Sequence, residues 1–271
     1  MQSISLIFNS FFINPILNVL LLFFHLFRSA GLPGAFGFSI VALTVSIRLL
    51  LHPFFRQQLE TTKKMQDIKP HLDKLNIKHK KDQKKLQEEQ LKLYQQAGIN
   101  PAAGCLFMII QIPVFIALYQ TLQLFFNGKM AATILHINKV VYAPFLKVTS
   151  IDPWFLGINL AASPKTAHNV YYYLIPVITA ILQYLQVQTS TAMIPQSKPE
   201  PKKADGKEES SSEDFQKAMN TQMKFVFPIM IGWFSLSLPV GLSLYWNIFS
   251  LFSIIQYYQM KSHDSQDVKA K

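Results

Sequence analysis

Residues 36–55 read FGFSIVALTVSIRLLLHPFF, an apolar run with one formal charge inside it, Arg48. A helix needs about 20 mostly apolar residues to cross the roughly 30 Å of bilayer hydrocarbon at about 1.5 Å per residue. The stretch therefore predicts a membrane crossing. Runs of the same kind recur at 101–126 and 170–190, and the stretch from Phe225 to Met260 carries no charge and is too long for one crossing. Pro239 and Gly241 lie inside that stretch, where they predict a tight turn between two helices. The chain reads as an all-α membrane protein with five transmembrane helices, at 34–55, 100–126, 170–191, 217–238 and 240–260.

Composition agrees. Of 271 residues 50% are hydrophobic and 15% charged, against about a quarter charged in a soluble domain. The charge is also segregated. Arg28 and Arg48 are the only charged residues before Arg56, and eleven basic residues then fall between Arg56 and Lys92. This excludes an ordinary soluble enzyme and a disordered polycation. A single cysteine, Cys105, excludes an internal disulfide. Orientation follows the Lys and Arg counts. Eleven lie in 56–99, six in 191–224 and three from Lys261 on, against four in 127–169. The first three segments are expected in the cytoplasm, with the amino terminus and the 127–169 loop outside.

Residues 1–33 hold an apolar stretch interrupted by Asn9, Asn14, Pro15, Asn18 and His25. Pro15 suits a helix start and Asn14 a cap. Asn18, His25 and Arg28 fall near one helical face, which predicts an amphipathic helix lying in the outer interface. A sixth crossing is the alternative. A signal peptide is disfavoured, because no basic residue precedes the run and no small-residue cleavage site follows.

The segment 56–99 predicts a cytoplasmic helical hairpin. Met65, Ile68, Leu72 and Leu75 form a 3-4-3 seam on its first arm, Asp82 suits the cap of its second, and Leu86, Leu93 and Ala97 continue there. Pro70 is expected to kink the first arm. The basic residues set topology; anionic lipid headgroups and ribosomal RNA phosphates are their candidate ligands. Residues 192–216, rich in Pro, Ser and charge, read as a disordered cytoplasmic linker, and 261–271 as a short cytoplasmic tail.

Catalytic chemistry has little support. The seven histidines show no HExxH spacing, and GxxxxGK[ST] and GxSxG are absent. No catalytic residue, metal or cofactor is expected. Arg48 is the informative residue, since a charge near mid-helix costs about 2.5–3.5 kcal/mol on insertion scales and must face protein or water. Thr44 and His52 lie one turn to either side. Snorkelling is the plain alternative, but His52 and Arg56 already occupy the boundary. Gln111, Gln183, Gln186, Trp246 and Asn247 add polar groups to other crossings, and none of the five contains Asp or Glu. For the glutamines, an interhelical hydrogen bond is an equally good reading. Together these residues predict a polar, partly hydrated cavity around an arginine with no internal acid.

Four blocks carry a resemblance: GFSIVALTVSIRLLLHP, KKMQDIKPHLDKL, YQQAGINPAAGCLFMIIQIPVFIALYQTL and LPVGLSLYWNIFSLFSIIQ. In this order they resemble the YidC-type membrane-protein insertases, over roughly residues 12–260. The resemblance implies a short form without a large extracytoplasmic domain, in a bacterial plasma membrane. It implies a hydrophilic groove, open to cytoplasm and lipid and closed outside, that moves short polar tails of nascent membrane proteins. The groove arginine falls on Arg48, its threonine on Thr44 and the groove aromatic on Trp246; Gln183 and Gln186 both remain candidates for the third-helix position. Implied partners are nascent membrane proteins, the ribosome and, as an alternative setting, the Sec translocon; DNA is not among them. Ala103 stands where a second glycine commonly precedes Gly104-Cys105. A small-anion transporter is the rival function; it predicts inverted repeats, and the sequence has no self-similar halves.

Overall fold

Pro53 shapes the centre of the molecule. Lacking an N–H and clashing with the preceding turn, it cannot extend a helix begun upstream, but it fits the first turn of a new one. The computed structural model, which describes residues 6–79, 82–100, 103–126, 130–190 and 222–269, accordingly ends helix α2 (Ala35–Leu50) at Leu51 and starts α3 (His52–Lys78) immediately after it. The chain bends by 63° at this elbow. Helix α2, inside the expected crossing 34–55, thus stops at Leu50, and Arg48 falls in its last turn.

Helix α1 runs from Leu6 to Ser29, with a π-helical turn at Asn9–Ile13. α4 covers Gln83–Gln96, α5 Ala103–Phe126, α6 Met130–Val140, α7 Leu174–Ser190, α8 Phe227–Ser235 and α9 Val240–Lys269. Two-residue strands β1 (Trp154–Phe155) and β2 (Ile158–Asn159) form a hairpin within the 127–169 segment. The architecture is that of an all-α membrane protein. Among the described residues, Leu6–Ser29 and Val170–Thr189 are long and apolar enough to cross a bilayer, and α2 with the start of α3 makes a third if the bent pair is one span. Gln111–Phe126 and Lys224–Ser235 are shorter apolar helices. The expected linker 192–216 lies outside the described residues.

The core joins Leu17, Leu20 and Leu21 of α1, Phe36, Ile40 and Leu43 of α2, Leu118 and Leu122 of α5, and Leu242 and Tyr245 of α9. Within lipid, association depends on close packing and polar contacts more than on water exclusion. Gly232 on α8 illustrates this. A Cβ there would stand 2.9 Å from the Ala180 Cβ on α7, so the missing side chain lets two helices approach. Leu174, Val177, Ile178, Ile181 and Leu185 of α7 stay exposed, as a lipid-facing stripe should.

Helices α3 and α4 follow the sequence pattern locally. α3 continues through Pro70, Leu72 is buried in the seam, Gln90 donates to Asn76 across the turn at 2.9 Å, and Asp82 caps α4 by accepting from the Lys85 amide at 3.1 Å. The 127–169 segment, read as a loop, contains α6 and the β-hairpin. Asn18 explains part of this order. Its side chain is buried; Nδ2 donates to the Val140 carbonyl at 3.2 Å and Oδ1 accepts from the Tyr142 amide at 2.7 Å. Asn18 therefore holds the end of α6, instead of joining His25 and Arg28 on a polar face turned to headgroups. Arg28 is exposed, its guanidinium 5.8 Å from the Phe24 ring centroid.

Candidate substrate groove

The last helix presents two stripes. Tyr245, Phe249, Phe252 and Gln256 recur at +4, +3 and +4, which places them on one helical face; Ser243, Asn247 and Ser250 recur at +4 and +3 on another. The first stripe receives Arg48 from α2, and the second receives the glutamines of α7.

Arg48 is only 2% exposed. Its Nη2 donates to the Phe249 carbonyl at 2.9 Å and also to Ser253 Oγ, which donates to the same carbonyl at 3.0 Å. The planar guanidinium lies between two rings, with Cζ 3.6 Å from the Phe249 centroid and 4.0 Å from that of Phe55. Such stacking is worth about 2 kcal/mol or more when water is excluded. Nε is buried without a hydrogen-bond partner, a deficit of about 1–3 kcal/mol. No carboxylate is among the described partners of Arg48. The charge is held by a carbonyl, a hydroxyl and two π faces, and it is not neutralised. In this conformation the Arg48 side chain is enclosed and does not open to a hydrated cavity. The cause is the elbow at Leu51, which folds the first turn of α3 back so that Phe55, 5% exposed, covers the arginine.

The other candidates distribute around this centre. Thr44 is buried on the same helix, and its Oγ1 donates to the Ile40 carbonyl at 2.7 Å, so it supplies a compact polar surface without reaching Arg48. Gln111 donates to Tyr245 Oη at 3.1 Å, and Tyr245 stacks on Phe249 at 5.8 Å; Gln111 thus joins the arginine cluster indirectly. Trp246 is half-buried and packs on Phe115 at 5.0 Å, away from the guanidinium. Gln183 and Gln186 converge on a single donor, Ser250 Oγ, at 3.2 and 2.6 Å. The structure therefore brings Arg48 and Gln111 to one stripe of α9, the two glutamines of α7 to the other, and Trp246 to neither.

Phe55, Tyr245, Phe249, Ser250 and Ser253 were not among the candidates. Ser243 and Ser250, seven residues apart in an apolar run, were a readable signal for an interhelical contact. Nothing local marks Phe55, because its role depends on the elbow.

A helical membrane protein with an enclosed arginine that meets no acid among the described residues is the class that this fold and site define. Residues 27–267 match the family described as 60Kd inner membrane protein, and the chain belongs to that family. The membrane protein insertase YidC 2 of Bacillus anthracis is 32% identical over 269 residues, covering 97% of this chain and 85% of that protein. The membrane protein insertase YidC of Alkalihalophilus pseudofirmus is 32% identical over 263 residues, with 93% and 81% covered. The inner membrane ALBINO3-like protein 2 of Chlamydomonas reinhardtii, a chloroplast protein, is 32% identical over 240 residues; these cover 87% of this chain and 52% of the relative, about half of its length.

Proposed function

We propose that this protein is a membrane-protein insertase that moves short polar tails of nascent membrane proteins through a groove beside Arg48 and releases their apolar segments into lipid. The carrying observation is the buried guanidinium itself, with no carboxylate partner among the described residues and with Nε unpaired there. It is available to an acid brought by a substrate. Five crossings, an outer α1 and a cytoplasmic α3–α4 hairpin form the working arrangement, with the amino terminus outside and the carboxy terminus in the cytoplasm of a bacterial plasma membrane. Packing of α1 supports its outer, interfacial placement: Phe24 meets Phe36 near the start of α2, and Asn18 meets the end of α6.

The sequence of events is short. The hairpin, with its basic residues, receives a nascent segment from the ribosome and lies near anionic headgroups. Movement of α3 lifts Phe55 from Arg48. A tail carboxylate then pairs with the guanidinium through the free Nε edge, as planar Arg–carboxylate geometry allows. Thr44, Gln111, Gln183, Gln186 and Trp246 line the polar path. The outer end stays shut, supported by hydrogen bonds from the Val240 and Gly241 amides to the Ala162 and Leu160 carbonyls at 2.9 Å each. At about −0.3 to −0.6 kcal/mol per central Leu, Ile, Phe or Val, an apolar segment supplies several kcal/mol, so no hydrolytic motor is required.

The test is reconstitution of the purified protein in liposomes with substrates of one or two spans, read by protease protection, with and without Sec translocon. Insertion without Sec supports an independent insertase; insertion only with Sec assigns a helper role there. No insertion, together with Arg48-dependent flux of a small anion, would overturn the reading in favour of a transporter.

A further inference from the structure

The outer loop carries a rigid projection. Trp154 pairs with Asn159 and Phe155 with Ile158, leaving Leu156 and Gly157 as a two-residue turn with φ of 49° and 80°. Positive φ at both positions matches the twist of the strands and favours Asn-Gly or Gly-Gly. A leucine there is conformationally costly, yet its side chain is 80% exposed, and that of neighbouring Trp154 is 52% exposed.

The base of the projection is firmly tied. Phe155 packs on α2, where a Cβ on Gly37 would overlap its ring, and Gly34, at φ 75°, lies against it too. The Asn159 amide donates to Tyr172 Oη at 2.7 Å. Tyr172 belongs to the 3-10 turn Val170–Tyr173 at the start of the membrane-length segment Val170–Thr189. The hairpin therefore stands level with the ends of α2 and α7. The 130–173 segment that carries it is aromatic and cationic: Tyr142, Phe145, Tyr171 and Tyr173 are exposed, as are Lys139, Lys147 and Lys165. Asp152 is the one acid in residues 130–173.

Tyr and Trp concentrate where hydrocarbon meets headgroups, and lysines there attract anionic lipid. We infer that the Trp154–Asn159 hairpin is an interfacial wedge that binds the outer leaflet of an anionic bilayer, with the Trp154 indole among the headgroups and Leu156 in the upper acyl region. The occupant is lipid, because the exposed apolar face of α7 continues directly into this surface and its charge complements anionic phospholipid. The wedge fixes the outer end of α2, whose inner end carries Arg48. The choice of the outer leaflet rests on the orientation proposed above; the wedge itself does not depend on insertase activity.

The test uses full-length protein carrying Trp233→Phe and Trp246→Phe, which leaves Trp154 as the sole indole. It is reconstituted in phosphatidylcholine–phosphatidylglycerol vesicles brominated either near the headgroup or deep in the chain. Shallow bromine should quench Trp154 more than deep bromine, and iodide should quench it weakly. Leu156→Gly, which relaxes the turn without disturbing the base, should lower the lipid quenching by about threefold at unchanged helical circular dichroism. Replacing phosphatidylglycerol by phosphatidylcholine should weaken it further. Free access of iodide without lipid quenching would place the hairpin in water, and protection from both quenchers would assign it to a protein contact; either result overturns the inference.

Discussion

Consider a substrate tail with one aspartate, compared with the same tail carrying asparagine. At 4 Å and an effective dielectric of about 20, a carboxylate gains about 4 kcal/mol from Arg48. Reaching it, the guanidinium gives up the 2.9 Å bond to the Phe249 carbonyl, about 1.5–3 kcal/mol for a charged donor, and part of its stacking on Phe55, about 1 kcal/mol. The remainder, about 1 kcal/mol, is roughly a fivefold preference for the acidic tail. Arg48→Ala should abolish this preference while leaving the asparagine tail nearly unaffected. Arg48→Met, which keeps apolar packing between the two rings, should do the same and separates charge loss from a collapsed groove. Read as a bare charge, the position would accept lysine with little change. The two-sided stacking alters that expectation: an ammonium keeps one hydrogen bond but loses the planar fork, so Arg48→Lys should retain part of the preference. The assay is the ratio of protease-protected acidic to amide tails in proteoliposomes. Equal loss for both tails in Arg48→Met would refute the electrostatic step.

Further outcomes follow from the packing. Gly37→Val should force the Phe155 ring away and cost about 1–3 kcal/mol, seen as a lower Tm in detergent. Ser250→Ala removes the shared donor of Gln183 and Gln186 and should cost about 0.6–1.7 kcal/mol, the scale of interhelical bonds in membranes. If insertion of every substrate falls much more than stability in that variant, the glutamines act on the path itself. Asn18→Leu leaves the end of α6 without its cap and should cost about 1–3 kcal/mol, with faster hydrogen exchange at Tyr142; unchanged exchange there would contradict the assigned bond.

Much of the interior was legible because membrane helices write long apolar runs, and because an arginine inside such a run has few tolerable environments. Arg48 was found by its cost, and Gln111, Gln183 and Gln186 by the same logic, each now with a defined partner. The start of α4 was readable from Asp82, which caps it. What escaped depends on long-range geometry. Phe55 looks like any boundary phenylalanine until Pro53 turns the chain beneath it. The 127–169 segment hides α6 because an eleven-residue helix leaves a weak pattern, although Met130, Ile134 and Ile137 follow the spacing of one. Asn18 was assigned to a polar face for want of its partner, which lies 122 residues away. Trp246 packs on Phe115, a neighbour set by the rotation of α9, which sequence alone does not fix.

The bend at Leu51 has a mechanical consequence. α3 extends 27 residues beyond it, about 40 Å at 1.5 Å per residue, while Phe55 rides only about 5 Å from the pivot. The arm is a lever with a mechanical advantage of roughly eight. A large, weak tug at its distal tip becomes a small, forceful displacement at the aromatic plug, so modest pulls at the far end of α3 are concentrated on the ring that covers the guanidinium.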